Sequence, residues 1–444
     1  MQNRHKPLNP ARIMACGFLG VILVGSLLLS LPPMHVGEGL NYIEALFTAT
    51  SAVCVTGLVV VDTGTFFSPL GQGVIMALIF IGSLGFMTMT TLIFIFLGRR
   101  ITLRDRLLVK EALNQESVAG LLRLVLAVVR MAVFFVAIGT ILLSIRFIPI
   151  LGIGRGVFFA LFHAVSAFGN AGFDLFGSFD SLTRVPTDYL VNGTIMLLFI
   201  IGGLGFTVIM EPFKLFRQRS RFTLHSRLVF IITAFLLVTG AVLVLLLEYN
   251  NPETMGELSG GGKIFTAFFT AATPRTAGFS VLNTGELKPA TMVIIMALMF
   301  IGASPTSTGG GVKTTTFGVV LITLISMIRG RQEPVVFQRR FSLNQIMKAV
   351  SIISAAVALV FLATLVMVYF EEMDFLALLF EAFSAFGTVG LSEGITPDLS
   401  GPSKIALIVT MFGGRIGPLT LLLGLARRQK EDLLRYPEEH LLIG

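Results

Sequence analysis

Tryptophan is absent from this chain, cysteine occurs twice, histidine five times, and only 13% of the 444 residues are charged. Each scarcity removes a class of function. Cys16 and Cys54 both lie in apolar surroundings, which leaves neither a disulfide framework nor a thiolate metal site. No paired catalytic carboxylates, metal-ligand cluster or Ser/His/Asp set appears, so the chain does not read as an enzyme. An ordinary soluble domain carries roughly 25% charged residues. With half that share, 54% hydrophobic residues and a mean hydropathy of +0.87, the composition is that of a polytopic membrane protein. Without tryptophan, any aromatic belt at the membrane surface falls to tyrosine and phenylalanine.

What the chain does have is apolar length. Residues 12–31, 74–97 and 348–370 are each long enough for a hydrocarbon core that needs about 20 residues. The first is not read as a cleaved signal, because Pro32-Pro33 caps it and no small-residue cleavage site follows. The formal charge of +8 is not placed for nucleic acid. Of 33 Lys and Arg, 23 fall in 1–12, 98–123, 214–227, 329–348 and 427–435, between apolar blocks or at the termini. The positive-inside rule puts those linkers and both termini in the cytoplasm. The opposite side carries 14 acids against 6 bases, and an acidic face gathers cations.

One phrase recurs four times: Ser51-Ala-Val-Cys-Val-Thr-Gly57, Ser166-Ala-Phe-Gly-Asn-Ala-Gly172, Ala272-Thr-Pro-Arg-Thr-Ala-Gly278 and Ser384-Ala-Phe-Gly-Thr-Val-Gly390. A short apolar stretch precedes each and a long one follows. The blocks 12–97, 121–213, 227–327 and 346–425 are therefore read as four repeats, with 426–444 as a cytoplasmic tail. Each would hold a long helix, a short one (40–52, 156–168, 263–273, 374–386), the glycine turn and a second long helix. The short stretches fall well under the roughly 20 residues a span needs, so they would dip in and return. The expected fold is an all-α polytopic membrane protein with eight transmembrane helices and four re-entrant pore helices around a central pore.

A re-entrant helix aims the negative end of its dipole inward, and a following glycine lets carbonyls turn to the axis without a Cβ clash. Rings of carbonyl oxygens can replace the hydration shell of an alkali cation. The candidate filter is Val55-Thr56-Gly57, Asn170-Ala171-Gly172, Thr276-Ala277-Gly278 and Thr388-Val389-Gly390, the last nearest to a potassium-channel filter. The second long helices share Ile81-Gly-Ser-Leu-Gly85, Ile201-Gly-Gly-Leu-Gly205 and Phe412-Gly-Gly-Arg-Ile-Gly417, read as small residues for close packing. The third differs: Gly302, Ser304, Pro305, Thr306, Ser307, Thr308, Gly309, Gly310, Gly311 and Lys313 make a stretch that should unwind. A Walker A loop is excluded, since Val312 separates Gly311 from Lys313. A broken helix lining the cavity fits better. Arg275, Lys313 and Arg415 are cations within pore-forming segments. Arg415 would raise the barrier to cations and partner the glycine-rich loop, or pair with an acid of a neighbouring helix. Arg275 would brace the filter from behind. Thr48, His163, Phe269 and Glu381 stand nine residues before the filter glycines; Glu381 would pair with Arg275 or make an ordinary hydrogen bond, and His163 is read as structural.

On these residues the chain resembles the Trk/Ktr/HKT superfamily of potassium transporters over essentially its whole length. Within that superfamily it is most similar to the Ktr membrane subunit, because repeat one begins without extra N-terminal helices. The family's single filter glycine per repeat falls on Gly57, Gly172, Gly278 and Gly390. The resemblance implies K+ uptake at a bacterial plasma membrane, with Na+ dependence as the alternative. It also implies a gating intramembrane loop and a homodimer with one pore per subunit. A cytosolic RCK-type ring would be the regulatory partner, and that ring, not this chain, would bind the nucleotide. The basic linkers would meet anionic lipid headgroups or dock the regulator, and the terminal Leu441–Gly444 would pack at the dimer interface.

Overall fold

The computed structural model describes residues 10–37, 39–85, 88, 121–218, 222–331 and 333–425. The tail 426–444, with the expectation for Leu441–Gly444, the N-terminus and most of the first basic linker lie outside the described residues.

Long apolar runs form the helices Pro10–Leu29, Leu121–Leu151, Leu224–Glu248 and Leu343–Phe370, each able by length and composition to cross a membrane. Their outward faces carry exposed Leu27, Ile141, Leu246 and Phe361, as lipid contact requires. Between each long helix and its inner partner lies a short one: Tyr42–Cys54, Ile153–Gly169, Gly260–Ala272 and Phe375–Gly387. Local sequence starts them. Asn41 and Glu44 form a capping box, Ser259 accepts the Gly262 N–H, and Asp374 accepts those of Leu376 and Ala377. The second instead follows its long helix directly across Gly152, at φ 80. Thr48–Cys54, the last turns of the first, are wholly buried. These helices end inside protein.

The inner helices are Pro69–Leu84, Tyr189–Leu204, Pro289–Phe300 and Gly401–Ile416. Here the sequence expectation needs correcting. A break was expected in the third alone, yet all four inner helices break, the third about one turn earlier than the others. Gly85, Gly205 and Gly417, at φ 81, 96 and 98, end the first, second and fourth. The chain bends by 99° between Tyr189–Leu204 and Phe206–Pro212. In the third, helix stops at Phe300 and resumes at Thr314. Glycine adopts these left-handed angles without a Cβ penalty, so a glycine lets an apolar helix end there. A further departure is a two-residue antiparallel ladder, Val335–Val336 with Arg339–Arg340, inside the third linker.

Glycines also set how closely the helices meet. A Cβ built on Gly82 would lie 2.0 Å from the Val53 carbonyl oxygen, one on Gly202 2.2 Å from that of Phe168, and one on Gly414 1.9 Å from that of Phe386. Each carbonyl stands four residues before a repeated-phrase glycine, so three inner helices seat on three short helices in one manner. The long helices approach likewise: Gly25 faces Leu78 and Ala49, and Gly139 faces Leu198 and Ala164. Gly202→Ala and Gly414→Ala should each destabilise the protein by about 1–3 kcal/mol through backbone overlap. Gly193→Ala, on the same helix as Gly202 but with nothing within 4 Å of its Cβ, should be neutral or gain up to about 1 kcal/mol. Thermal unfolding in detergent checks the contrast, and equal effects at the three sites would contradict this packing.

Candidate functional site

Three short helices end directly in one backbone gesture, and the third, Gly260–Ala272, repeats it four residues past its end. Val55, Asn170 and Thr388 take left-handed φ of 59, 60 and 50, Thr276 takes 72, and the glycines two residues on take 92, 69, 91 and 78. Three of the four are β-branched, for which such a conformation costs about 1–3 kcal/mol. The turn sends the next N–H back onto the helix: Thr56 N–H donates to Ser51 O at 2.8 Å, Ala171 to Ser166 O at 2.8 Å, Ala277 to Thr273 O at 2.9 Å and Val389 to Ser384 O at 2.9 Å. The hydroxyls of Ser51 and Ser384 each accept the glycine N–H, of Gly57 and Gly390, at 3.0 Å.

The four turns meet. A Cβ on Gly57 would stand 2.4 Å from Ala171 O, one on Gly172 3.0 Å from Ala277 O, one on Gly278 2.3 Å from Val389 O and one on Gly390 2.2 Å from Thr56 O. The contacts close a ring in the order Gly57, Gly172, Gly278, Gly390, with room for no side chain at any glycine. Among the described residues none of the carbonyls of Thr56, Ala171, Ala277 and Val389 accepts a hydrogen bond. Backbone oxygens buried in a membrane protein without donors demand another partner. A ring of acceptors alone suits a cation.

Below the ring runs the glycine-rich loop between Gly302 and Lys313. It hydrogen-bonds to the second inner helix, Ser304 N–H to Gly203 O at 3.0 Å and Thr308 N–H to Gly202 O at 3.3 Å, and Gly311 N–H reaches Gly414 O of the fourth at 3.3 Å. Pro305 O lies against Gly205, and the Thr306 and Thr207 hydroxyls pair at 3.0 Å. Ser307 Oγ bonds within the loop to Ser304 O at 2.6 Å. Side chains of the turns hold it from above: Gly310 N–H donates to Thr388 Oγ1 at 3.0 Å, and Thr308 Oγ1 to Asn170 Oδ1 at 2.8 Å. Asn170 in turn donates to Thr276 Oγ1 at 3.2 Å, and Gly309 is packed against that hydroxyl. The hydrogen bonds of Gly310 to Thr388, Thr308 to Asn170 and Asn170 to Thr276 each span more than 75 residues of sequence and left no signal there.

The three cations resolve differently. Arg415 donates to Thr308 O of the loop and to Gly82 O and Ser83 O, last-turn carbonyls of the first inner helix. It has no carboxylate partner among the described residues, and the helix C-terminus supplies the partial negative charge instead. Lys313 Nζ donates to Gly309 O at 2.6 Å. Arg275 is buried beside the third turn with its Nε unpartnered among the described residues. Glu381 does not pair with it. Its carboxylate accepts the hydroxyls of Ser392 and Thr396, neighbours on its own return strand.

Above the ring opens a cavity of about 350 Å³, lined by all four glycines and by Asp62, Asp174, Asp180 and Glu393. No Lys or Arg lines it, although Arg184 pairs with Asp180 from outside. Burial, then the charges of Asp62 and Asp180, push Asp174 up to about 7 against the Phe176 N–H that lowers it. Glu393 is raised too, by burial and then Asp374.

The family described as cation transport protein, TrkH, matches residues 20–433. The Ktr system potassium uptake protein B of Bacillus subtilis (strain 168) is 44% identical over 436 residues, covering 98% of this chain and 97% of that protein. The Potassium/sodium uptake protein NtpJ of Enterococcus hirae is 38% identical over 449 residues, covering 99% and 98%. The crystal structure of the potassium transporter TrkH from Vibrio parahaemolyticus aligns with a TM-score of 0.73 at 18% identity, over 96% of this chain and 87% of that one. That likeness is one of fold.

Asp174 is protonated below about pH 7 and charged above it, so the mouth gains negative charge as pH rises. Binding of Rb+ measured by calorimetry should strengthen between pH 6 and pH 8, and Asp174→Asn should flatten that rise. An unchanged pH dependence in the variant would contradict the assignment.

Proposed function

The chain belongs to the cation transport protein family, and on that premise we propose that it is the pore-forming subunit of a potassium uptake system, conducting K+ through the ring of main-chain carbonyls. One observation carries the reading: four turns close into a ring whose carbonyls have no donor among the described residues. K+ sheds its water there and takes oxygens of fixed position in exchange. The short helices direct their negative ends at the same centre, which favours a cation further. Family membership makes the protein a transporter rather than an enzyme.

The glycine-rich loop is the gate in this reading. It underlies the ring, it is tied by hydrogen bonds to the second and fourth inner helices and to the turns above, and Arg415 clamps it to the first inner helix. A homodimer, a cytosolic RCK-type ring that binds the nucleotide and biases the loop, and a bacterial plasma membrane with both termini in the cytoplasm complete the proposal. A second reading, in which Na+ is carried or required with K+, draws on the 38% identical relative named for potassium and sodium uptake.

Growth of an uptake-deficient host at micromolar K+ tests the conclusion. The chain should rescue it and Gly278→Ser should not, because a side chain there overlaps Val389 O. Rescue by the serine variant would overturn the filter. Arg415→Ala removes charged hydrogen bonds of about 1.5–3 kcal/mol each, so Rb+ uptake should rise roughly tenfold. Deleting 305–311 should raise it without regulation. Unaltered, still-regulated flux in both would reject the gate.

A further inference from the structure

Nine residues before the ring glycines, Thr48, His163, Phe269 and Glu381 share one slot on their short helices, each at most 1% exposed. Two are ionisable groups that conduction does not use. Both grip the chain where it climbs from the ring to the outer mouth.

His163 sits among phenylalanines, its ring centroid 4.4 Å from that of Phe159 and 4.9 Å from that of Phe176. Its Nδ1–H donates to Phe159 O at 2.7 Å, which leaves Nε2 to accept the Leu175 N–H at 3.3 Å, three residues past Gly172. Glu381 accepts the hydroxyl of Ser392, two residues past Gly390, and that of Thr396 at 3.1 Å. Ser392 also accepts the Gly394 N–H at 2.8 Å, so one carboxylate organises the whole return strand. The other two slots do otherwise. Thr48 Oγ1 has no partner among the described residues, and beside Phe269 the tie comes from Thr273 Oγ1 to Phe279 O at 2.6 Å. The order of glycines round the ring sets Gly172 opposite Gly390.

We infer that His163 and Glu381 are positioning residues that fix the ring's outer edge from opposite sides, and so set its preference for K+ over the smaller Na+. This rests on reading the ring as a K+ filter. A carbonyl ring fits a smaller ion only if its walls move inward. Two facing walls are tied from behind by side chains that are themselves fully buried, where a hydrogen bond is stronger than in water.

The full-length protein in proteoliposomes, assayed with radiolabelled Rb+ and Na+, tests the inference. Phe is native at the equivalent slot of the third unit, so His163→Phe fits the space while losing both bonds. His163→Phe and Glu381→Leu should each lower the Rb+/Na+ uptake ratio about fivefold, the size of one net hydrogen bond. Glu381→Gln, whose amide can accept one hydroxyl and donate to the other, should stay within about twofold of wild type. Ser392→Ala with Thr396→Val removes the same tie from the other end and should match Glu381→Leu, which keeps the test open if the leucine variant does not assemble. An unchanged ratio in folded His163→Phe and in the Ser392/Thr396 variant overturns the inference. So does a loss in Glu381→Gln as deep as in Glu381→Leu, which would make charge rather than position the cause. Absence of Rb+ uptake by the wild-type protein would instead defeat the filter reading, and the inference would fall with it.

Discussion

A main-chain carbonyl within a membrane protein must find a partner, and four here are denied one by the turns that present them. Left-handed residues at the ends of the short helices fold each following N–H back onto its own helix, as Thr56 does to Ser51 O at 2.8 Å. Donors are used up behind the ring while acceptors gather within it. The conformational cost at Val55, Thr276 and Thr388 is met by the surrounding fold, since the glycines pack backbone on backbone and the short-helix ends are buried. What results is an unsatisfied set of oxygens that protein cannot fill and a bare cation can.

The same imbalance of carbonyls and donors organises the space beneath. Breaking four inner helices frees carbonyls near the axis, and the chain answers with its own cations. Arg415 and Lys313 donate to Thr308, Gly82 and Gly309 carbonyls. The loop's hold on the ring runs through Asn170 and Thr388, whose backbones shape the turns and whose side chains bind the loop, so turn and loop are mechanically joined.

Local patterns made much of this legible. Four matched phrases with glycine at the seventh place announced four turns, and the length of the preceding runs separated short helices from spans. Pro305 beside Gly309-Gly310-Gly311 announced the broken third helix. The breaks at Gly85, Gly205 and Gly417 were missed because one glycine in an apolar run carries the same signal whether it packs or terminates; Gly82 packs, and Gly85 terminates three residues later. Nor could propensity place β-branched residues in left-handed turns, a choice that tertiary contacts impose. The individual partner atoms over long range were beyond reach as well. Arg415, expected against the glycine-rich loop, reaches Thr308 O there and also Gly82 O, 333 residues away, while Glu381, expected to pair with Arg275 or to make an ordinary hydrogen bond, takes hydroxyls 11 and 15 residues ahead.

The central claim is that these four backbone turns jointly hold a dehydrated alkali ion. Anomalous diffraction from crystals grown in thallium(I) or Rb+ tests it most directly. The account predicts a peak on the axis enclosed by Gly57, Gly172, Gly278 and Gly390; a clear map with heavy ions only in the acidic mouth, and none within the ring, would contradict it.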